Sequence, residues 1–254
     1  MTDLLCLHGF LGSGRSWDAV IHLLGGGSAA LCPDLPGHAT AAPPPRGATF
    51  ESEIERFATE LGENDWTRGH LVGYSMGARF GLGLLVRFPE LFSGATLVGL
   101  HPGPADGQER SDRRRRETTL IRQLETAARE TAGLGRFVDR WEANPLFASQ
   151  RALPADVLAW QRQIRLAHDP ASLAIALEAL GRGAMPDYAP QLAELEQPLT
   201  LVVGELDDRF RRIARDLEPL LRQGRLSIVP GAGHNPVLER PRAIAALLRE
   251  ELQP

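Results

Sequence analysis

The chain has 254 residues, 43% of them hydrophobic and 24% charged, enough for one sizeable core or a core with a lid. A formal charge of −4 gives no global reason to expect nucleic acid or a membrane surface as partner. No apolar run approaches the roughly 20 residues of a membrane span, and the start of the chain lacks a signal peptide's charged-then-apolar layout.

In chain order, Leu4–Leu7 reads as a short buried strand stopped by His8-Gly9. Ser13–Leu24 carries Trp17, Val20, Ile21 and Leu24 at helical spacing. Ala29–Cys32 is a second strand, broken by Pro33-Asp34-Leu35-Pro36-Gly37, and the Ala- and Pro-rich stretch 39–47 is loop. Phe50–Leu61 is an amphipathic helix, His70–Gly73 a strand, Met76–Phe88 a mostly apolar helix and Ala95–Gly99 a strand. From Gly103 to Asp187 the sequence is helical, charged and poor in strand signals. The earlier pattern then returns, with strands at Leu199–Val203 and Leu226–Val229 and helices at Phe210–Leu221 and Pro241–Leu252.

Strands alternating with helices predict an α/β fold with a parallel sheet of about six strands covered on both faces. Residues 1–102 and 188–254 would form this core domain, and 103–187 a helical cap. Ligands of open α/β sheets bind outside the carboxyl ends of the strands, where that cap would sit. Cys6 and Cys32 fall in apolar strand-like segments and read as buried, reduced thiols of a cytoplasmic protein. His and Cys lack ligand spacing, so no metal site is expected.

Gly73-Tyr74-Ser75-Met76-Gly77 lies between an apolar strand and an apolar helix, the context a nucleophile elbow needs. A serine hydroxyl reacts only when a base takes its proton. His234, on the Gly-rich loop after the last strand, is the one histidine of seven in the expected place. The acid should follow the preceding strand, where Gly204-Glu205-Leu206-Asp207-Asp208 points to Asp207, with Asp208 second. The backbone amides of Met76 and of Phe10, in the His8-Gly9-Phe10 turn, are the candidate oxyanion hole. These residues imply the α/β-hydrolase fold with catalytic Ser75, Asp207 and His234.

Finer detail resembles the 2-succinyl-6-hydroxy-2,4-cyclohexadiene-1-carboxylate synthases of menaquinone biosynthesis, over nearly the whole chain. The resemblance is carried by Leu7-His8-Gly9-Phe10-Leu11-Gly12-Ser13 with Trp17, by Asp34-Leu35-Pro36-Gly37-His38, and by Tyr74 and Arg79 around the elbow. It continues in His101-Pro102-Gly103, the helix start Arg113–Glu117, Trp141 before Pro145–Ser149, Gly204–Asp207 with Phe210, and Gly233-His234-Asn235. It implies a lyase without a cofactor, in which the triad is a general base. Pyruvate leaves 2-succinyl-5-enolpyruvyl-6-hydroxy-3-cyclohexene-1-carboxylate after a ring proton is abstracted. The substrate carries three carboxylates, and similarity assigns Arg79, Arg113 and Arg165 to them, with Tyr74 and Trp141 lining the pocket. The chain has no lysine, so every cation on offer is arginine, whose planar fork suits carboxylates.

Against these roles, Arg113 belongs to a four-arginine run that reads equally as a solvated helix face, Arg162 competes with Arg165, and Trp141 could be cap core. His38 and His101 lie near the site by resemblance, with a turn or packing role the default. Ala39 and Ala78 stand where glycine is common in the family, and Arg209 where lysine is. The competing functions are a carboxylesterase or carbon–carbon bond hydrolase with the same triad, and a non-catalytic ligand-binding member. The expected partner is a small tricarboxylate, with neither nucleic acid nor membrane, on a monomer or small homo-oligomer.

Overall fold

The structure, a computed structural model, describes residues 3–25 and 29–253. Its strands are β1 (Asp3–Leu7), β2 (Ala30–Leu31), β3 (Gly69–Tyr74), β4 (Phe92–Val98), β5 (Leu199–Gly204) and β6 (Gly224–Val229). All pair in parallel, in the order β2-β1-β3-β4-β5-β6. Side chains of a strand alternate between faces, so the strands of a sheet covered twice are mostly apolar on both. Leu5 and Leu7 enter one apolar cluster while Leu4 and Cys6 enter the other. Leu71 and Val72, and Leu201 and Val202, divide in the same way.

One face is covered by α2 (Phe50–Glu63) and α3 (Met76–Arg87), the other by α1 (Asp18–Leu24) and α10 (Pro241–Glu251). Thr49 and Ser52 close a capping box at the start of α2, which buries Phe50, Ile54, Phe57 and Leu61 at helical spacing. α3 is buried on nearly every side, in keeping with its mostly apolar sequence, Arg79 being the charged exception among its buried residues. Some boundaries moved. β4 begins at Phe92 because Gly94, which interrupts the apolar pattern, lies close against the His70 ring in β3. The helix expected to reach Leu221 is α8 (Asp208–Leu217), and Pro219 tightens the following residues into a 3-10 turn.

Between β4 and β5 the described residues contain no strand. They hold α4 (Gly107–Ala127), α5 (Gly133–Glu142), α6 (Ala155–Leu166) and α7 (Pro170–Leu180). This segment shares its core with the rest of the chain: Leu173, Leu177 and Leu180 of α7 join the same apolar cluster as Phe50 and Phe80. The Ala39 amide donates to His168 Nδ1 at 2.8 Å, fastening the loop after β2 to the end of α6. Among the described residues no helix is long and apolar enough to cross a membrane.

From β1 the chain goes out to the edge at β2 and returns to β3 on the other side of β1. The loops leaving β1 and β3 therefore diverge, opening a crevice at the carboxyl ends of two neighbouring strands.

Candidate active site

Ser75 occupies that switch point, between the end of β3 and the start of α3, with φ +52° and ψ −102°. A non-glycine residue there costs on the order of 1–3 kcal/mol, so the surroundings must hold it. Its amide donates to Val98 O at 2.8 Å. Glycine is obligatory beside it: a Cβ on Gly77 would lie 2.2 Å from Leu7 O, and one on Gly73 2.6 Å from Gly77 O. Strand and helix thus approach to backbone contact, and the serine side chain is thrust out of the turn.

Ser75 Oγ lies 3.2 Å from His234 Nε2, and His234 Nδ1 lies 2.7 Å from Asp207 Oδ2. Asp207 is the N-cap of α8, its Oδ1 accepting from Phe210 N at 3.1 Å. One carboxylate thus starts a helix and orients an imidazole, and the helix presents the Phe210 ring 4.4 Å from that of His234. The histidine loop is held by a group the sequence reading did not single out. Buried Glu239, in α9 (Pro236–Glu239), accepts from Gly233 N at 2.7 Å and Asn235 N at 3.2 Å, the two amides flanking His234. Gly204 lets β5 meet this loop, since a Cβ there would be 2.0 Å from Gly233 O. With Nδ1–H given to Asp207, Nε2 is left free to accept the serine proton.

Phe10 and Met76 both border Ser75 in the cavity, and neither amide has an acceptor among the described residues. The turn that carries Phe10 is braced by His8, whose Nε2 accepts from Leu35 N at 2.9 Å and whose Nδ1 bonds Gly9 O at 2.8 Å. Gly9 passes flat against Tyr74, where a Cβ would be 2.7 Å from the ring. His38 is packed with His8, Phe10 and His168 at centroid distances of 5.1–5.6 Å, and does not line the cavity.

The cavity over Ser75 and His234 measures about 490 Å³. Tyr74, Trp141, Phe137, Phe147 and Phe210 contribute apolar wall. Trp141, in α5, lines the cavity 5.1 Å from Phe10 and is stacked at 6.4 Å on Phe137. Six arginines line the cavity (Arg79, Arg113, Arg116, Arg140, Arg182 and Arg209), with no Asp or Glu among the described lining residues. Arg79, one turn after Ser75, is buried and donates to Leu180 O at 3.0 Å. Burial pushes its pKa down to about 9, opposed by Glu117 and reinforced by Arg113 and Arg182. Arg113 Nε donates to Glu117 at 2.7 Å. Glu117 also accepts from Arg182 N and Gly183 N, so this buried carboxylate is fully engaged. His101 lines the same wall, its pKa pushed down to about 3 by burial and the surrounding arginines. Such a chamber, cationic and partly apolar beside a serine–histidine pair, can hold a polyanion against a general base.

Arg165 lies elsewhere. It borders a separate void of about 40 Å³ behind Phe10, Tyr74, Trp141 and Phe147, which line both spaces. Its Nη1 bonds Glu142 at 2.9 Å, and its guanidinium sits 5.7 Å from the Phe147 ring centroid. Arg162 lines neither space and pairs with Asp139 and Glu142. Asp208, the second choice for the acid, is exposed and pairs with Arg211 at 2.7 Å. Arg140 and Arg182 carry no mark in the sequence reading, although Gly181-Arg182-Gly183 directly after an apolar helix is a signal that was there.

A family model described as the alpha/beta hydrolase family matches residues 4–247. The 2-succinyl-6-hydroxy-2,4-cyclohexadiene-1-carboxylate synthase of Serratia proteamaculans is 32% identical over 98% of this chain and 92% of its own length. The enzyme of the same name from Enterobacter sp. is 31% identical, over 98% and 91%. The solved structure of MenH from S. aureus superposes with a TM-score of 0.91 at 28% identity, over 99% of this chain and 93% of that one.

Proposed function

Because the chain belongs to the alpha/beta hydrolase family and, within it, to the 2-succinyl-6-hydroxy-2,4-cyclohexadiene-1-carboxylate synthases, we propose that it catalyses that synthase reaction in menaquinone biosynthesis. The substrate is the tricarboxylate 2-succinyl-5-enolpyruvyl-6-hydroxy-3-cyclohexene-1-carboxylate. The observation that carries this reading is a serine–histidine pair opening into a chamber lined by six arginines and no described acid. A neutral ester has no use for that chamber.

In this mechanism arginine forks from Arg79 and Arg113 fix substrate carboxylates and set a ring C–H beside the Ser75–His234 pair. The pair removes the C2 proton, the C–H electrons form the C2=C3 bond, the C3=C4 pair shifts to C4=C5, and the C5–O bond to the enolpyruvyl group breaks. The departing enolate takes up a proton and leaves as pyruvate. Asp207 holds the imidazole in the tautomer that accepts at Nε2 and stabilises the imidazolium. The Phe10 amide, in the turn after β1, and the Met76 amide, at the start of α3, face the developing negative charge. Tyr74 and Trp141 shape the wall around the ring. Arg165, behind that wall, acts on the site through its field at Tyr74. No step needs a cofactor. Residues 103–187 act as the cap that encloses the substrate, and the reading carries with it a cytoplasmic enzyme, monomeric or a small homo-oligomer.

The test is pyruvate release and formation of the conjugated diene from enzymatically made substrate, with spontaneous elimination subtracted and a p-nitrophenyl ester run in parallel. Rapid release that Ser75→Ala and His234→Ala each abolish is the expected result. Ester cleavage with no pyruvate above background would make the protein a hydrolase.

A further inference from the structure

Three substrate carboxylates call for three cations inside one chamber, yet only two of the arginines invoked above, Arg79 and Arg113, line it. Arg165 is behind the aromatic wall and already paired with Glu142. Arg116, Arg140 and Arg209 line the chamber but are exposed, so water screens them.

Arg182 differs from all of these. It sits in the turn after α7 at 7% exposure, and its Nε is buried with no acceptor among the described residues. Its nearest carboxylate, Glu109 Oε1, is 3.7 Å from Nη2, beyond hydrogen-bond reach. The guanidinium is therefore desolvated, lines the cavity and faces Arg113 and Arg209. A buried cation left in this state is costly, and an anion entering the cavity removes the cost.

The turn is built to hold the side chain there without using it. Arg182 N and Gly183 N donate to Glu117 at 2.8 and 3.0 Å, while Arg110 and Arg114 donate to Gly183 O at 3.2 and 3.1 Å. Gly181 and Gly183 permit the approach, since a Cβ on either would lie within 2.9 Å of Glu117 Oε2. Every anchor of the turn is a backbone group, which leaves the five N–H donors of the Arg182 head for a ligand.

Resting on the synthase reading, we propose that Arg182 binds a substrate carboxylate and, with Arg79 and Arg113, sets the preference for a tricarboxylate over a dicarboxylate. A charge-assisted contact of this kind is worth about 10- to 100-fold in affinity.

The experiment compares wild type with Arg182→Gln and Arg182→Lys in two arms. One measures kcat and KM for the substrate. The other measures binding of tricarballylate and of glutarate by calorimetry, which needs no turnover, with thermal melts reporting folding. The expected result for Arg182→Gln is a KM raised about 10- to 100-fold with kcat within a few-fold, and tricarballylate weakened by a similar factor while glutarate binding is retained. Arg182→Lys recovers part of both losses. Wild-type KM and tricarballylate affinity in a folded Arg182→Gln overturn the proposal. So does a loss confined to kcat, or an equal loss of both probes that tracks a lowered melting temperature. If wild type binds tricarballylate but releases no pyruvate, the synthase reading falls, and the calorimetric arm alone decides the role of Arg182.

Discussion

Asp207 performs two tasks with two oxygens, so two substitutions should separate them. Asp207→Asn keeps an oxygen able to cap α8 through Phe210 N, now 3.1 Å from Oδ1. Its amide group then faces His234 Nδ1, which is 2.7 Å from Oδ2. That nitrogen must accept rather than donate, so the ring proton moves to Nε2, and Nε2–H points at Ser75 Oγ across 3.2 Å. The histidine can no longer take a proton, and turnover should fall by about 10³–10⁴-fold. Stability should hardly change, since Asn and Asp cap equally well. Asp207→Ala should lose as much activity and in addition about 1 kcal/mol of stability from the missing cap. Asp208→Asn, on an exposed side chain, should stay within about twofold of wild type in turnover. Steady-state pyruvate release and urea unfolding of the three variants decide the matter. Turnover of Asp207→Asn within tenfold of wild type would refute the tautomer argument, and equal stability of Asp207→Asn and Asp207→Ala would refute the cap.

Two further outcomes concern stability. Ala39 holds φ at +43°, in the left-handed region where glycine is at ease. Ala39→Gly keeps the amide that bonds His168 and should stabilise the fold by about 0.5–1 kcal/mol, read as a melting temperature a few degrees higher. An unchanged or lower value would mean that the strain is relaxed in solution. His70 is buried against Thr96 Oγ1 at 2.8 Å, and burial pushes its pKa down to about 4 from 6.5. Between those values the unfolded chain binds the extra proton, so stability rises with pH across this window and is lost as pH falls. The full shift is worth about 3 kcal/mol. His70→Gln should flatten the slope of unfolding free energy between pH 4 and 6.5 by close to one proton, and an unchanged slope would show that the imidazole is charged or solvated in the fold.

The parallel sheet, the tight turn at Ser75 and the hydrogen-bonded row Ser75–His234–Asp207 could be read from sequence because each rests on short-range rules. A strand buried on both faces is a run of apolar residues, as Leu4–Leu7 of β1 is. Gly73 and Gly77 are forced by backbone contact around Ser75, and the order of Ser75, Asp207 and His234 follows from which strand ends meet. The departure at Ala39 was legible for the same reason, and its positive φ is the backbone state a glycine would fill. Glu239 was not legible, because an acid in a short helix carries no local mark of the two amides it clamps.

The arginines depended on tertiary structure alone. Arg113 and Arg116 share a helix, Arg162 and Arg165 share another, and periodicity gives each pair similar claims to a face. Only the packing of α4, α5, α6 and α7 directs Arg113 and Arg182 into the chamber, and turns Arg165 toward Glu142 behind the aromatic wall. A strand end fixes a backbone atom to within a bond length, whereas an arginine head lies several rotatable bonds from its Cα. Its destination is set by whichever carboxylate, carbonyl or empty space the neighbouring helices bring within reach.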